Sequence, residues 1–163
     1  MDKRKAFKLL QSHVKKIIQE IETSREEAQD SANEHVGAME SRYDTFKEEA
    51  QYLVAGYTKR LMEFKDIYKK LEQILNTPDI FNNPHEQVLI TSIVTISDEN
   101  EQIYTYLISP VMGGEKIPLD NKEVKIITPS APLGMKLMSK QVGDTIIMNL
   151  QGKEQELIIE EIL

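Results

Sequence analysis

The sequence predicts an α+β protein, in which an N-terminal antiparallel α-helical coiled-coil hairpin precedes an antiparallel β-sheet domain with one short helix. Two long segments of the first half carry apolar residues at steps of three and four. A stretch rich in Pro and Asn follows, and beyond it β-branched residues form short runs separated by turn residues. We place the hairpin at 1–76, a linker at 77–86 and the sheet domain at 87–163.

The two helical segments have apolar stripes of similar length. The first runs from Lys3 to Val36 and the second from Phe46 to Leu75, and neither contains Pro. Each would measure about 45–50 Å at a rise of 1.5 Å per residue, so each stripe can cover the other in a hairpin. The stripes comprise Phe7, Leu10, Val14, Ile17, Ile18, Ile21, Ala28, Ala32 and Val36, then Phe46, Ala50, Leu53, Tyr57, Leu61, Phe64, Ile67, Tyr68, Leu71 and Ile74.

One continuous helix that forms an intermolecular coiled coil is the alternative to the hairpin. The apolar spacing continues across the proposed turn at Val36, Met39, Tyr43 and Phe46. Gly37 opposes this alternative, because an interior Gly costs about 1 kcal/mol relative to Ala. Ser41-x-x-Asp44 and Thr45-x-x-Glu48 also fit the capping box that starts a new helix. We therefore predict a hairpin with its tip between Ser31 and Gly56.

The sheet domain is predicted from runs of β-branched residues separated by turns. A short helix is expected at Ala131–Ser139, started by Ser130 and Pro132. Pro110 to Pro118 is expected to be irregular, and Gly152-Lys153 to turn a hairpin. The predicted strands are Gln87–Ile96, Ile103–Ile108, Glu123–Ile127, Gly143–Leu150 and Glu154–Leu163.

Composition excludes several classes of site. The chain has no Cys and no Trp and only three His, so a thiolate metal site, a Cys nucleophile and a zinc enzyme are not expected. The net charge of -7 argues against nonspecific wrapping of nucleic acid. No window resembles a signal peptide or spans a bilayer, so we expect a soluble cytoplasmic protein without a membrane partner.

Charge is unevenly distributed. The 14 basic and 14 acidic residues up to Asn76 balance, whereas the remainder has 6 basic and 13 acidic residues. Within the helical half, Lys and Arg concentrate at both ends of the segment and acidic residues in its middle. A hairpin would bring the two basic stretches together and leave an acidic tip. Charge pairs along solvated helices account for part of this pattern, but not for the separation of basic ends from an acidic middle.

Residues 127–163 resemble the C-terminal domain of the bacterial Gre transcription elongation factors. The matching residues are Ala131-Pro132-Leu133-Gly134, Leu137-Met138 and Val142-Gly143-Asp144, with Ala131 and Ser139 in place of the usual Ser and Gly. Lys47 to Tyr52 resembles the Lys-Glu-Asn-Ala-Glu-Tyr stretch of the Gre tip. Ser41–Tyr57 and Leu107–Gly114 are similar to a divergent GreA/GreB-like branch.

The resemblance implies a hairpin followed by an FK506-binding-protein-like sheet domain, and a monomer that binds RNA polymerase. The sheet domain would dock at the rim of the secondary channel, with Pro132, Leu133, Gly134, Gly143 and Asp144 as partner-binding candidates of largely structural role. The hairpin would enter the channel and reach RNA and DNA only indirectly. Such a factor is not itself an enzyme, although it can stimulate RNA cleavage by the polymerase.

The resemblance also implies candidate tip acids. In cleavage-competent members, a tip Asp and Glu share a Mg²⁺ with the polymerase, and no other cofactor is expected. Asp44 and Glu48 are the candidates here for both the catalytic and the metal role. The Gre tip spaces its acids by three residues, whereas these are spaced by four, which favours a non-cleaving role. Both residues are also good capping residues. The fallback acids are Glu34, Glu40 and Glu49.

Three further residues near the tip, and two other functions, are also assigned expectations. His35 is expected to be an exposed helical residue, Tyr43 to pack in the stripe and Tyr52 to be partly buried. A structural coiled-coil protein that does not act on RNA polymerase is the alternative function. A prolyl isomerase is disfavoured, because the sheet domain offers only Phe81, Tyr104 and Tyr106 to line an aromatic pocket.

Overall fold

A computed structural model describes residues 1–34, 40–77, 79–82, 86–150 and 153–163. It confirms the predicted fold class: two long helices precede a sheet with one short helix. The chain forms two compact units, unit 1 comprising Met1–Leu10 with Gln73–Leu163, and unit 2 comprising Gln11–Glu72. The predicted boundaries at residues 76 and 86 stay predictions. The elements are α1 (Lys3–Glu34), α2 (Glu40–Asn76), β1 (Ile93–Asp98), β2 (Ile103–Ile108), β3 (Lys116–Leu119), β4 (Lys122–Ile127), α3 (Pro132–Leu137), β5 (Thr145–Leu150) and β6 (Lys153–Ile162).

Unit 2 is the predicted helical hairpin. The Lys65 Nζ atom lies 2.9 Å from Glu22 Oε1, which joins α2 to α1. On one continuous helix these residues would lie about 65 Å apart, so the chain reverses between them. The six Cα steps from Glu34 to Glu40 span at most about 20 Å, less than the length of α1, so the helices run antiparallel. The continuous-helix alternative is therefore wrong.

The apolar stripes are buried along much of unit 2. Val14 and Ile21 of α1 and Leu61 and Leu71 of α2 are all buried, as the three/four spacing predicts. Burial of such stripes supplies most of the stability of helices in water, because intrinsic propensity alone is marginal. Of the predicted stripes, Val36 and the side chains of Ala32 and Phe46 lie outside the described residues.

Unit 1 ties the start of the chain to residues that follow α2. The Phe7 and Phe81 ring centroids are 5.6 Å apart, and the Arg4 guanidinium lies 5.2 Å from the Phe81 ring centre. Lys5 Nζ also lies 2.6 Å from Asp120 Oδ1. This contact raises the pKa of Lys5 and lowers the pKa of Asp120, chiefly through the hydrogen bond between them. Phe81, placed in the predicted linker, therefore packs against a helix.

The sheet has six strands in the order β3-β4-β2-β1-β6-β5. Strands β2 and β4 pair in parallel, with Leu107 opposite Ile126, while the other neighbours pair antiparallel. The sheet is thus mixed, and the expectation of antiparallel pairing throughout is wrong at this pair. The reason is that the chain leaves β2, forms the edge strand β3 and turns back as β4. Strand β3 lies partly within the stretch predicted to be irregular.

Several element ends differ from the prediction. Strand β1 begins at Ile93 rather than Gln87, because Thr91 has a φ of 80° and the Ser92 hydroxyl accepts a hydrogen bond from Leu89 N. Helix α3 is shorter than Ala131–Ser139, since Ser139 has a φ of 63°. Strand β5 begins at Thr145 rather than Gly143, and β6 begins at Lys153. The predicted turn residue Gly152 lies outside the described residues.

One face of the sheet packs with α3 and the segment before β1. The residues on this face form a core cluster. The fully buried residues of the cluster come from β1, β2, β6, α3 and the segment before β1. Leu133 and Met138 pack against this cluster from the α3 region, as do Tyr104 and Tyr106 of β2. The cluster comprises Val88, Val94, Ile96, Ile108, Ile127, Leu137, Ile146, Leu157 and Ile159.

Candidate functional site: the start of helix α2

Helix α2 carries an exposed stretch near its start. Glu22 pairs with Lys65, so in an antiparallel register Glu34, twelve residues further on, lies opposite Leu53, twelve residues back. Residues 40–52 form the first turns of α2, on the tip side of Leu53. These turns contain the candidate tip acids Asp44 and Glu48.

Side-chain exposure differs along α2. Leu71 is fully buried, whereas Leu53, predicted in the same stripe, is 55% exposed, and the preceding Tyr52 is 79% exposed. The predictions that Leu53 is buried and Tyr52 partly buried are therefore wrong. Helical periodicity alone therefore does not determine which residues of α2 are buried, because burial also requires packing from another part of the chain.

One face of α2 near its start presents an acid, an amide and an aromatic ring. Glu48, Gln51, Tyr52 and Ala55 lie at positions i, i+3, i+4 and i+7 and line a shallow concave surface. Within the part of the chain that the structure describes, no hydrogen bond or ion pair engages the Glu48 carboxylate or the Tyr52 hydroxyl. Glu49 beside them is also exposed. These groups are available to a partner.

The two predicted tip acids lie on one helix face. The backbone of α2 is helical from Glu40, so Asp44 and Glu48 occupy positions i and i+4. The side chains of Asp44, Tyr43, Glu40 and Glu34 lie outside the described residues, as does the whole of His35. Their predicted roles stay predictions.

A Mg²⁺ ion at this place would need ligands from elsewhere. Among the side chains that the structure describes, no group of three His, Asp or Glu residues could hold a metal. Mg²⁺ prefers octahedral oxygen coordination and retains several waters, so an exposed carboxylate such as that of Glu48 can complete a site built by a partner. The donor chemistry fits a shared ion, with Glu48 and Asp44 as its candidate ligands.

The family-motif residues of α3 are engaged within the sheet domain. Gly134 packs so closely on the chain before α3 that a Cβ atom there would lie 2.0 Å from Thr128 O. Its carbonyl accepts a hydrogen bond from Met138 N at 3.0 Å, which closes the helix end. Leu133 packs against the core cluster, while Pro132 is exposed at the first position of α3.

The Gly143-Asp144 pair forms the turn into β5. Gly143 has a φ of 88°, a conformation that favours Gly, and its N–H donates to Ile159 O at 2.8 Å. Asp144 Oδ2 accepts from Gln141 N at 2.9 Å, and Asp144 O accepts from Ile159 N at 3.0 Å. Four of the five predicted partner-binding residues thus have structural roles, and Pro132 and Gly143 are the exposed ones.

The three aromatic residues of the predicted isomerase pocket do not gather around one cavity. Phe81 packs against Phe7, while Tyr104 and Tyr106 pack against the core cluster. The Lys125 ammonium lies 5.2 Å from the Tyr104 ring centre, and burial raises the pKa of Tyr106. Nothing in this arrangement resembles an aromatic-lined substrate pocket.

Comparison with known proteins yields similar structures only. No protein-family model and no curated protein matches the sequence. Solved structures of Gre-type factors are similar to this chain. GreA factor homolog 1 (Gfh1) of Thermus aquaticus is 18% identical with a TM-score of 0.39, over 93% of this chain and 92% of that one.

Two further structures extend the comparison. Gfh1 of Thermus thermophilus is 18% identical with a TM-score of 0.36, over 94% of each chain. The transcription elongation factor GreA/GreB of Nitrosomonas europaea is 19% identical with a TM-score of 0.39, over 61% of this chain and 78% of that one. Because identities and TM-scores are low, the function of these proteins is not transferred to this chain. Separately, no helix in the described ranges is apolar over a bilayer-spanning length.

Proposed function

We propose that this chain is a Gre-like transcription elongation regulator, which binds RNA polymerase and inserts its hairpin into the secondary channel. The observation that carries the proposal is the exposed start of α2 in a helical hairpin, where Glu48 and Glu49 lie beside the exposed Tyr52. A narrow acidic extension can reach a recessed active centre that a sheet domain cannot enter. The ordered motifs at residues 47–52 and 131–144, which resemble those of Gre factors, support the same partner.

The proposed regulator acts in the cytoplasm as a monomer and contributes no chemistry of its own. Its effect on transcription comes from placing carboxylates and the Tyr52 ring near the polymerase active centre. When a second Mg²⁺ is bound there, the ion can activate water for RNA cleavage. The chain's own residues orient the carboxylates, through a helix that fixes their spacing.

That spacing favours occupation of the channel over cleavage. Asp44 and Glu48 are four residues apart, whereas the Gre tip spaces its acids by three. On a helix, one residue shifts a side chain by about 100° and 1.5 Å along the axis. Catalysis by a shared metal ion depends on ligand placement within a fraction of that distance. We therefore infer that the hairpin modulates nucleotide addition without stimulating efficient cleavage.

The test uses stalled, backtracked elongation complexes with purified protein. The expected result is binding to the polymerase and a changed rate of nucleotide addition, with no shortening of the transcript. Shortened transcripts that vanish with the D44A/E48A double variant would overturn the non-cleaving role. The matched control is the E63A/D66A variant, which removes two exposed acids further along α2. Failure of the wild-type protein to bind polymerase would overturn the proposal itself.

A further inference from the structure

The two edge strands of the sheet differ in how well their outer edges are protected. Strand β3, at one edge, is four residues long and contains Pro118, which has no N–H to donate. Strand β5, at the other edge, contains neither Pro nor a charged residue. Short strands, Pro and charged side chains are the usual means by which an edge strand avoids pairing with another chain. The sequence of β5 provides none of them.

Hydrogen bonds identify the backbone groups of β5 that face outward. Glu156 N donates to the carboxylate of Glu99, which follows β1 on the opposite side of β6 from β5, so the Ile147–Glu156 pair exchanges no hydrogen bond. Bonded and non-bonded pairs alternate along an antiparallel ladder. The N–H and C=O groups of Ile147 therefore point away from β6, as do those of Thr145 and Asn149. The Ile147 side chain is also 50% exposed.

Lys136 of α3 covers the centre of this edge. Its ammonium group donates a hydrogen bond to Ile147 O, which confirms that this carbonyl faces outward. A strand that paired with β5 would use the same carbonyl as an acceptor in the new ladder. Lys136 therefore protects β5 from α3, in the way that a Lys within an edge strand protects that strand.

Strand β5 is complementary to itself in one antiparallel register. When Ile147 lies opposite Ile147 of a second copy, Thr145 lies opposite Asn149. On the other face of the sheet, Ile146 then lies opposite Met148. Polar residues thus meet polar residues, apolar residues meet apolar ones, and no charged residue of one strand faces the other. The outward N–H and C=O groups of each copy bond to those of the other.

We propose that the β5 edge is a pairing surface for a second copy of this chain, and that Lys136 limits the pairing. The self-complementary register favours a second copy over an unrelated partner, because a two-fold axis at Ile147 satisfies every position at once. The same axis brings both Lys136 ammonium groups together, where their like charges repel each other. Each must also release its carbonyl before the strands pair. With Lys136 in place the monomer therefore predominates.

The experiment measures self-association of the full chain by sedimentation velocity over a range of protein concentrations. The test variant is K136M, which keeps an unbranched side chain and removes the ammonium group. We expect its dimer to form at least ten times more tightly than that of wild type, because no charged hydrogen bond has to be broken. The control is K140M, which removes an exposed lysine just beyond α3 and should associate as the wild type does. Salt is kept high throughout, because the net charge of -7 makes copies repel each other.

Two further measurements separate strand pairing from other association. The I147P substitution removes an N–H that faces outward, so the K136M/I147P variant should lose the gain in association. Hydrogen exchange needs no second substitution: the Ile147 amide should exchange quickly in wild type and slowly in the K136M dimer.

Equal association of K136M and wild type would overturn the proposal, as would an equal gain in K140M. A K136M dimer in which the Ile147 amide still exchanges quickly would also overturn it, because the contact would then lie elsewhere. None of these measurements involves RNA polymerase, so the proposed function is tested separately.

Discussion

The two halves of α2 show the same apolar spacing but different environments. Leu61 and Leu71 are buried against the rest of the protein, whereas Leu53 is more than half exposed beside Tyr52. The buried residues lie on the side of the Glu22–Lys65 contact away from the tip or close to it, whereas Leu53 lies about three turns nearer the tip. One half of the helix therefore supplies stability, and the other remains available for a partner.

The largest expected difference between the two halves of α2 is in their cross-linking to α1. The chain contains no Cys, so paired substitutions label only chosen sites. A short bismaleimide should join E22C/K65C nearly completely, because the native side chains are in contact. It should not join E22C/Y52C, a pair about 20 Å apart along the helices in the observed register. The gel mobility of the monomer shows whether each of the two Cys pairs is cross-linked.

The opposite pattern would break the comparison between the two halves of α2. Efficient joining of E22C/Y52C would mean that the hairpin turns earlier, so that α1 covers Leu53. The exposed start of α2 would then be lost as the basis for the proposed function.

The L71A substitution tests whether the half of α2 that contains Leu61 and Leu71 stabilises the protein. The Leu71 side chain is fully buried, so its truncation leaves a cavity and should lower the free energy of unfolding by about 2–5 kcal/mol. Denaturant unfolding followed by circular dichroism measures the loss. A change below about 1 kcal/mol would show that the hairpin does not depend on this contact.

The Y52A/L53A variant tests whether the exposed half of α2, which contains Tyr52 and Leu53, is needed for function. Both residues are exposed, so the effect of the protein on nucleotide addition should fall about tenfold, or about 1.4 kcal/mol. The matched control is M62A, since Met62 is exposed on the other half of α2. If the M62A variant lost as much activity as Y52A/L53A, the two halves would not differ in function.

The L53A substitution alone gives the smallest expected effect, on stability. Because Leu53 is largely exposed, we expect the free energy of unfolding to change by no more than about 0.5 kcal/mol. The same denaturant series as for L71A provides the measurement. A loss comparable to that of L71A would place Leu53 in a packed interface and contradict the comparison.

The sequence allowed prediction of the helices because their stripes and the residues that end them are local signals. Leu61 and Leu71 are buried as expected, but the exposure of Leu53 depends on what packs opposite it, which the local spacing does not encode. Phe81 was assigned to a linker, because its contact with Phe7 joins residues far apart in sequence. Such long-range contacts produce no periodic pattern in the sequence.

The sheet shows the same limit. The β-branched runs located most strands, yet they do not encode strand direction, so the parallel pairing of β2 with β4 was missed. The start of β1 was misplaced because Thr91 adopts a left-handed conformation that few Thr residues adopt. For the candidate site, the sequence identified Glu48 but not the exposure of Tyr52 and Leu53, since exposure depends on tertiary contacts.

The most direct test of the central claim is a proximity measurement in the polymerase complex. A single-Cys variant, E48C, carries an iron chelate that generates hydroxyl radicals, and E63C carries the same group about 22 Å further along α2. Bound to a stalled elongation complex, the E48C probe should cut RNA near its 3′ end, and the E63C probe should not. Equal cutting from both positions, or none from E48C in a complex that retains the bound protein, would contradict insertion of the acidic start of α2 into the channel.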